Sequence, residues 1–188
     1  MSRAIVVTGA ASGIGKATAE LLASRGDTVI TVDLRDADIT ADLTDDAAIA
    51  QVVEQITERT GGTLDGLVAN AGVSANNELS LLVNCFGTVA LIEGLRPLLA
   101  KSEAPRVSVT SSAATLQGND PELVDLLLAG DRDAAVERGK ALAAQGQAGY
   151  ANYSSSKRAI SRWVRRVAPT ADYAGAGIGI NAVGPGQV

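Results

Sequence analysis

Three glycines placed directly behind the first apolar run constrain this chain more than any other feature. Ala4, Ile5, Val6 and Val7 form the short continuous run of a strand buried on both faces, and T-G-A-A-S-G-I-G follows at residues 8–15. Gly9 and Gly13 open backbone conformations closed to residues with a Cβ, and Gly15 lets the next helix lie close on the strand. The first N–H groups of that helix have no partner inside it; together with the helix dipole they make a seat for an anion such as a pyrophosphate. The spacing is G-x-x-x-G-x-G rather than the commoner G-x-G-x-x-G, so an ordinary tight turn is the competing reading. Its position at the start of a chain that goes on alternating strands with helices favours the anion seat.

Composition removes several classes of function. A chain of 188 residues suffices for one domain that buries roughly 70% of its unfolded surface. With 46% apolar residues, 20% charged residues and a formal charge of −5, it reads as soluble and globular, without the basic surplus of a nucleic-acid binder. No apolar stretch approaches the roughly 20 residues needed to span a bilayer, and the first strand begins too soon after Met1 for a signal peptide. The expected location is therefore the cytoplasm, with neither membrane nor nucleic acid as partner. Cys85 is the one cysteine and histidine is absent, which excludes an internal disulfide, a His-based triad and a zinc site; no metal is expected. Acid–base chemistry falls to Tyr, Lys, Ser or a carboxylate.

Along the chain, Ile14, Ala17, Leu21 and Leu22 fall on one face of the first helix, which Gly26 ends. A second strand, 28–32, leads to Asp33, placed to accept hydrogen bonds from adenosine ribose hydroxyls. A loop or capping role is the alternative. In the first reading Asp33 selects NAD, since a 2′-phosphate beside it meets ~1 kcal/mol of repulsion per unit charge in water and ~4 at an effective dielectric of 20. Arg35 offsets part of this, so NADP is the less favoured cofactor. A third strand at 38–42 follows after too few residues for a normal crossover, so no full helix is expected between them. Then come a helix at 45–59 with Thr44 as cap and Ile49, Val52, Val53 and Ile56 on one face, stopped by Gly61 and Gly62, and a strand at 64–70 running into Asn70, Ala71 and Gly72. A helix at 78–99 has Leu81, Leu82, Cys85, Val89 and Ile92 as its core face. A strand at 107–110 precedes Ser111 and Ser112; a helix at 153–167, a strand at 178–183 and the turn Gly184-Pro185-Gly186 complete the pattern. This is an α/β chain with a doubly wound parallel sheet of Rossmann type. Gly9, Asp33, Asn70, Ser112 and Pro185 all fall at carboxyl ends of strands and should line one crevice.

Tyr153 and Lys157 are spaced i, i+4 in Y-S-S-S-K and share a helix face, whereas Tyr150 and Tyr173 have Ser154 and Gly177 at that spacing. A free phenol titrates near 10; lowering it by two to three units takes about 3 to 4 kcal/mol, roughly what one nearby cation supplies at an effective dielectric of 20. Lys157 is suited to be that cation.

The ordered set T-G-A-A-S-G-I-G, N-A-G, V-N-C-F-G, V-T-S-S, Y-S-S-S-K and N-A-V-G-P-G resembles the short-chain dehydrogenases/reductases over nearly the whole chain. The resemblance implies an NAD(H)-dependent oxidoreductase that interconverts a secondary alcohol and a ketone or aldehyde. It implies Tyr153 as general acid/base, Ser112 (not Ser111) orienting the reacting oxygen, Lys157 holding the nicotinamide ribose and lowering the tyrosine pKa, and Asn84 holding a relay water. The cofactor would lie along Gly9, Ser12, Gly13, Ile14, Gly15, Asp33, Asp42, Leu43, Asn70, Ala71, Gly72, Tyr153, Lys157, Pro185 and Gly186. A homodimer or homotetramer acting on a small-molecule alcohol or carbonyl is implied with it. A dinucleotide-binding sensor without turnover and a sugar-nucleotide epimerase or dehydratase are the alternative functions.

Two departures from the family pattern stand out. A helical insertion at 118–148 precedes Tyr153, with Asp120 as cap, Pro121 at the first position, a Leu123, Val124, Leu127, Leu128 face and Gly130 as stop, then a second helix at 133–144. With the short crossover before the third strand, it resembles the bacterial 3α-hydroxysteroid dehydrogenase/carbonyl reductase branch, whose inserted helices contribute to a dimer contact. The Leu-rich face is expected to pack on a second subunit or to roof the substrate cleft, a plain surface decoration being the alternative. Between Gly72 and Asn84 the chain is shorter than the pattern, and the usual last strand and substrate-covering helices do not follow Gln187. The expectation is a longer protein of which this is the ordered fraction, rather than a fragment with its sheet edge gone.

Overall fold

Strand β1 (Ala4–Thr8) carries the first apolar run into the middle of a six-stranded sheet in the computed structural model, which describes residues 2–186. β2 (Thr28–Asp33) and β4 (Gly66–Ala69) flank it, β3 (Ile39–Thr40) lies outside β2, and β5 (Arg106–Thr110) and β6 (Gly179–Val183) lie outside β4. Every pairing is parallel. The order β3-β2-β1-β4-β5-β6 runs outward both ways from β1, so the connections leave a crevice beside the carboxyl ends of β1 and β4.

Alternate strand residues face opposite ways. On one face Val6, Val32, Leu67 and Val109 are buried with Ile56, Ile92, Leu95 and Ile160 of α2 (Asp46–Thr60), α4 (Thr88–Leu99) and α7 (Tyr150–Val167). Burial of each such side chain contributes roughly 1.5–3 kcal/mol. On the other face α1 (Gly13–Ser24) packs over Ile5 and Val7 through Ala19. Toward β5 and β6 that second face carries Arg106, Ser108 and Asn181 along an open groove of about 330 Å³.

The packing face of α1 differs from the periodicity. Ile14 and Leu21 are 40% and 50% exposed and Ala17 is exposed, while Gly15 and Ala19 are buried. A Cβ on Gly15 would run into the Gly9 carbonyl, so the first turns of the helix sit too close to β1 for large side chains; further along, Leu22 packs half-buried on Ile5 and Val7 as the periodicity has it.

Five residues between β2 and β3 suffice because β3 starts level with the end of β2, Val32 pairing with Ile39. The chain steps back by about one residue rise of 3.3 Å instead of a whole strand length. Asp38 closes the turn: its carboxylate accepts from the Thr31 N–H and hydroxyl at 2.8 and 2.7 Å, which also holds its pKa below the usual carboxylate range. The cap of α2 is Asp45, accepting from the Ala47 N–H at 2.8 Å, one residue after the expected Thr44.

The helix expected at 78–99 is interrupted. A short α3 (Leu79–Leu81) passes into a π-helical stretch, Leu82–Gly87, and then into α4. The wider turn shifts the phase of α4, so Leu91, Ile92, Leu95 and Leu99 are buried while Val89 is only half-buried. Leu79–Leu99 together are 21 residues with mean hydropathy 1.4 in their most apolar window, longer than any apolar stretch expected from the sequence. Half of that window is buried against the sheet and the other helices.

The insertion forms α5 (Pro121–Ala129) and α6 (Arg132–Ala143), capped by Asp120 and Asp131. Its Leu123, Val124 and Leu127 are buried with Leu81, Cys85, Leu142 and Ala159 of the same chain. Three residues of the Leu-rich face are thus core of this chain, while Leu128 stays half-buried at its edge.

Candidate active site

The glycine turn is held by its surroundings. Gly9 has φ 66°, and a Cβ there would approach the Ala71 backbone to 2.9 Å and the Asn70 amide nitrogen to 3.0 Å. Thr8, 2% exposed, accepts from both the Asn70 and Ala71 N–H groups at 3.0 and 2.9 Å, locking the end of β4 against the end of β1. Asn70 then spans the floor, donating to the Gly9 carbonyl at 3.4 Å and accepting from the Thr110 hydroxyl at 3.1 Å. Ser12 occupies the cap position of α1 without a side-chain capping bond, and no acidic residue sits in the first turn, so nothing in the helix itself competes with an incoming anion.

Asp33 closes the adjoining side. One carboxylate oxygen accepts from the Ala11 N–H at 2.9 Å and the other from the Leu34 N–H at 2.7 Å, which aims the group at the turn and leaves a lone pair on each oxygen. Asp33 and Gly9 are shared between a crevice of about 420 Å³ and a small slot of about 90 Å³ whose walls include Asp42, Leu43 and Ala71. The crevice runs on past Ser12, Ile14, Asn70, Gly72, Pro185 and Gly186 to Lys157, Tyr153 and Ser112. Ile14, exposed by the rotation of α1, thereby meets the crevice.

Beyond Ser112 and Tyr153 lies a further cavity of about 400 Å³ reaching Asn76, Gln117 and Tyr150. Ser112 and Tyr153 line both spaces and so stand on the wall between them. The Ser112 oxygen accepts from the Ala114 N–H at 3.1 Å, which orients the hydroxyl and leaves its proton to donate. Ser111 is spent otherwise: its hydroxyl is 2.6 Å from that of Ser161 and donates to the Lys157 carbonyl at 3.1 Å.

Lys157 Nζ donates to the Thr110 carbonyl at 2.9 Å and lies 6.0 Å from the centre of the Tyr153 ring. The side chain is 4% exposed, and burial lowers its pKa from 10.5 to about 8, against a smaller opposing pull from Cys85. Asn84 stands behind the crevice wall. Its amide donates to the Val73 carbonyl at 2.9 Å and the Ser156 hydroxyl at 3.0 Å and accepts from the Val73 N–H at 2.8 Å, leaving one oxygen lone pair uncommitted.

Several functional supports were not singled out in the sequence. Thr8 and Thr110 are two. The three serines between Tyr153 and Lys157 are the others: Ser154 donates to the Gly118 carbonyl at 2.6 Å, Ser155 accepts from the Asp120 N–H at 2.9 Å, and Ser156 accepts from Asn84. Two tie α7 to the loop that leads into α5, and the third ties it to the π-helical stretch. Three consecutive residues of modest helix propensity inside a helix are the signal that could have found them.

A nicotinamide dinucleotide fits this arrangement. Gly9, Ser12 and Ile14 line the crevice at the start of α1; Gly9 and Asp33 also wall the Asp42–Leu43 slot, and Tyr153 and Ser112 line the same crevice, so an extended molecule with a central pyrophosphate has the helix N-terminus within the space it would occupy. A family model described as enoyl-(acyl carrier protein) reductase matches residues 9–125. The chain is also 33% identical over 187 residues to a 3-alpha-hydroxysteroid dehydrogenase/carbonyl reductase of Comamonas testosteroni, across 97% of this chain and 71% of that protein. The chain belongs to the short-chain dehydrogenase/reductase family.

Other members of the short-chain dehydrogenase/reductase family agree with this. A cis-4-hydroxycyclohexanecarboxylate dehydrogenase of Sinomonas cyclohexanicum is 32% identical over 200 residues, across 98% of this chain and 72% of that protein. The crystal structure of the 3-alpha-hydroxysteroid dehydrogenase from Pseudomonas sp. B-0831 complexed with NADH superposes with a TM-score of 0.88 at 41% identity, across 97% of this chain and 78% of that chain. As a short-chain dehydrogenase/reductase the protein is an oxidoreductase acting on CH–OH donors, with a nicotinamide dinucleotide as cofactor. These likenesses do not support the sensor or sugar-nucleotide readings.

Proposed function

We propose that the protein is an NAD(H)-dependent dehydrogenase for a bulky secondary alcohol or its ketone, of the 3α-hydroxysteroid or similar carbonyl class. The position of Ser112 and Tyr153 on the wall shared by the glycine-turn crevice and the second cavity carries the reading. NAD is favoured over NADP because the Asp33 carboxylate faces the turn where an adenosine ribose would lie, and because a relative at 41% identity was crystallised with NADH. The substrate class draws on the names of the relatives and on the second cavity, where Tyr150, 65% exposed, offers a ring face beside Ala113 and Ala114. A homodimer or homotetramer in the cytoplasm, without nucleic acid or membrane as partner, belongs to the same reading and rests on composition and family resemblance.

The dinucleotide, when bound, takes up or supplies the hydride. In oxidation the Tyr153 phenolate removes the proton from the substrate hydroxyl; in reduction the phenol returns it to the carbonyl oxygen. The Ser112 hydroxyl donates to that same oxygen, held in place by the Ala114 N–H. The Lys157 ammonium, 6.0 Å from the centre of the Tyr153 ring, gives one proton to the Thr110 carbonyl and has donors left for the ribose. Asn84 braces residues 72–73 beside Lys157, and its remaining lone pair is available to a relay water. Gly9, Ser12, Ile14, Asn70, Gly72, Pro185 and Gly186 would hold the cofactor along the crevice, and Ala71, Asp42 and Leu43 its adenine, while Gly13 and Gly15 line neither space and act by shaping the turn: Gly13 has φ 54° and Gly15 lets α1 lie against the Gly9 carbonyl.

Incubating the protein with NAD and a set of secondary alcohols that includes 3α-hydroxysteroids, while monitoring NADH absorbance, tests the assignment. Turnover of the polycyclic members is expected; tight NADH binding with no alcohol oxidised would return the sensor reading. For cofactor choice, Asp33→Ala should shift the NAD/NADP ratio of kcat/KM toward NADP by about tenfold or more. An unchanged ratio would leave Asp33 with a structural role only.

A further inference from the structure

We propose that Arg132, the first residue of the inserted helix α6, is a positioning residue for the cofactor: it clamps the loop that walls the adenine slot, so that the insertion serves nucleotide binding from a distance. The inference rests on the NAD(H) reading above. Residues 41–45 connect β3 to α2, and Ala41, Asp42 and Leu43 wall the slot. Thr44 lies in this loop one residue before the cap Asp45 and is held from both sides. Its N–H donates to the Asp42 carboxylate at 2.9 Å, and its carbonyl accepts from Arg132 Nη2 at 2.6 Å. Arg132 Nη1 meanwhile donates to both oxygens of Asp46 at 2.8 and 3.0 Å, and the guanidinium carbon lies 5.9 Å from the centre of the Phe86 ring.

Phe86 belongs to the π-helical stretch that also carries Asn84, and the loop rests on that stretch: a Cβ on Gly87 would collide with the Leu43 carbonyl. One planar cation therefore joins the slot loop, the start of α2 and the π-helical stretch. A guanidinium can do this because its donors are fixed in one plane while its face is free to lie on a ring; an ammonium cannot supply both at once. The partner carboxylate of Asp46 is 76% exposed, so the ion pair adds little stability by itself. It fixes the direction of the guanidinium instead. Arg132 reaches back 88 residues to Thr44, a contact open to this chain only through its insertion.

The test compares wild type, Arg132→Ala and Arg132→Lys by NADH fluorescence titration, AMP calorimetry, thermal unfolding and steady-state kinetics. Loss of one charge-assisted hydrogen bond is worth about tenfold. The Ala variant should therefore bind NADH and AMP more weakly by the same factor of about ten, with KM for NAD raised, kcat kept and unfolding little changed. The Lys variant, which keeps charge and most of the packing, should lose affinity to a smaller extent and decides the matter alone if the Ala variant does not fold. Unchanged NADH and AMP affinity in the folded variants, with or without a lower unfolding temperature, would overturn the clamp and leave the cofactor reading standing. Failure of the wild type to bind NADH at all would overturn the cofactor reading and the clamp with it.

Discussion

Burial brings the Lys157 pKa down to about 8 because the elements that hold the ammonium beneath Tyr153 also remove its water. The unfolded chain keeps that proton to about pH 10.5, the folded chain only to about 8. The folded state therefore bears the full penalty of a buried charge below pH 8 and sheds it as the pH rises from 8 to 10.5. Lys157→Met should consequently be more stable than wild type at pH 7, by roughly 1–3 kcal/mol once the lost bond to the Thr110 carbonyl is counted, and inactive. Urea unfolding at pH 7 and pH 10 in the absence of cofactor should show the difference shrinking at the higher pH. A variant less stable than wild type at pH 7 would mean that the Thr110 bond outweighs the desolvation. Of the residues that line the candidate site, those legible in the sequence are the ones with a local pattern: Gly9 in its turn, Asp33 at a strand end, Tyr153 and Lys157 one helical turn apart. Thr8, Thr110 and the serines of Y-S-S-S-K act through partners tens of residues away, which no local pattern records.

Among the elements, α5 and α6 behave as part of the core. Leu123 is fully buried in one cluster with Leu81, Cys85, Leu142 and Ala159, so Leu123→Ala should destabilise the fold by about 2–5 kcal/mol in chemical denaturation. A loss below about 1 kcal/mol would instead fit a detachable decoration, since exposed positions away from special features tend to move stability by only about half that. Strand positions and the caps of α5 could be read ahead of the structure because each answers to neighbours in sequence. The orientation of α1 and the phase of the helix after Leu81 could not. The first is set by contact between Gly15 and the Gly9 carbonyl, the second by the wider π turn; in both cases tertiary packing overrides a 3.6-residue period.

Taken as a whole molecule, the parallel sheet with its order reversing at β1 brings to one edge residues that are far apart in the chain: Gly9, Asp33, Asn70, Ser112, Tyr153 and Pro185. The short crossover before β3 keeps Asp33 and the slot loop adjacent, and the insertion joins that loop to the helix bearing Asn84. The central claim is that a single crevice seats the dinucleotide and presents its reactive end to Tyr153. Parallel NADH titration and alcohol-oxidation kinetics of Tyr153→Phe test it most directly. The account predicts NADH affinity within about twofold of wild type and kcat/KM lowered by about 10²–10⁴-fold; a variant that binds NADH and oxidises the alcohol as fast as wild type would contradict it.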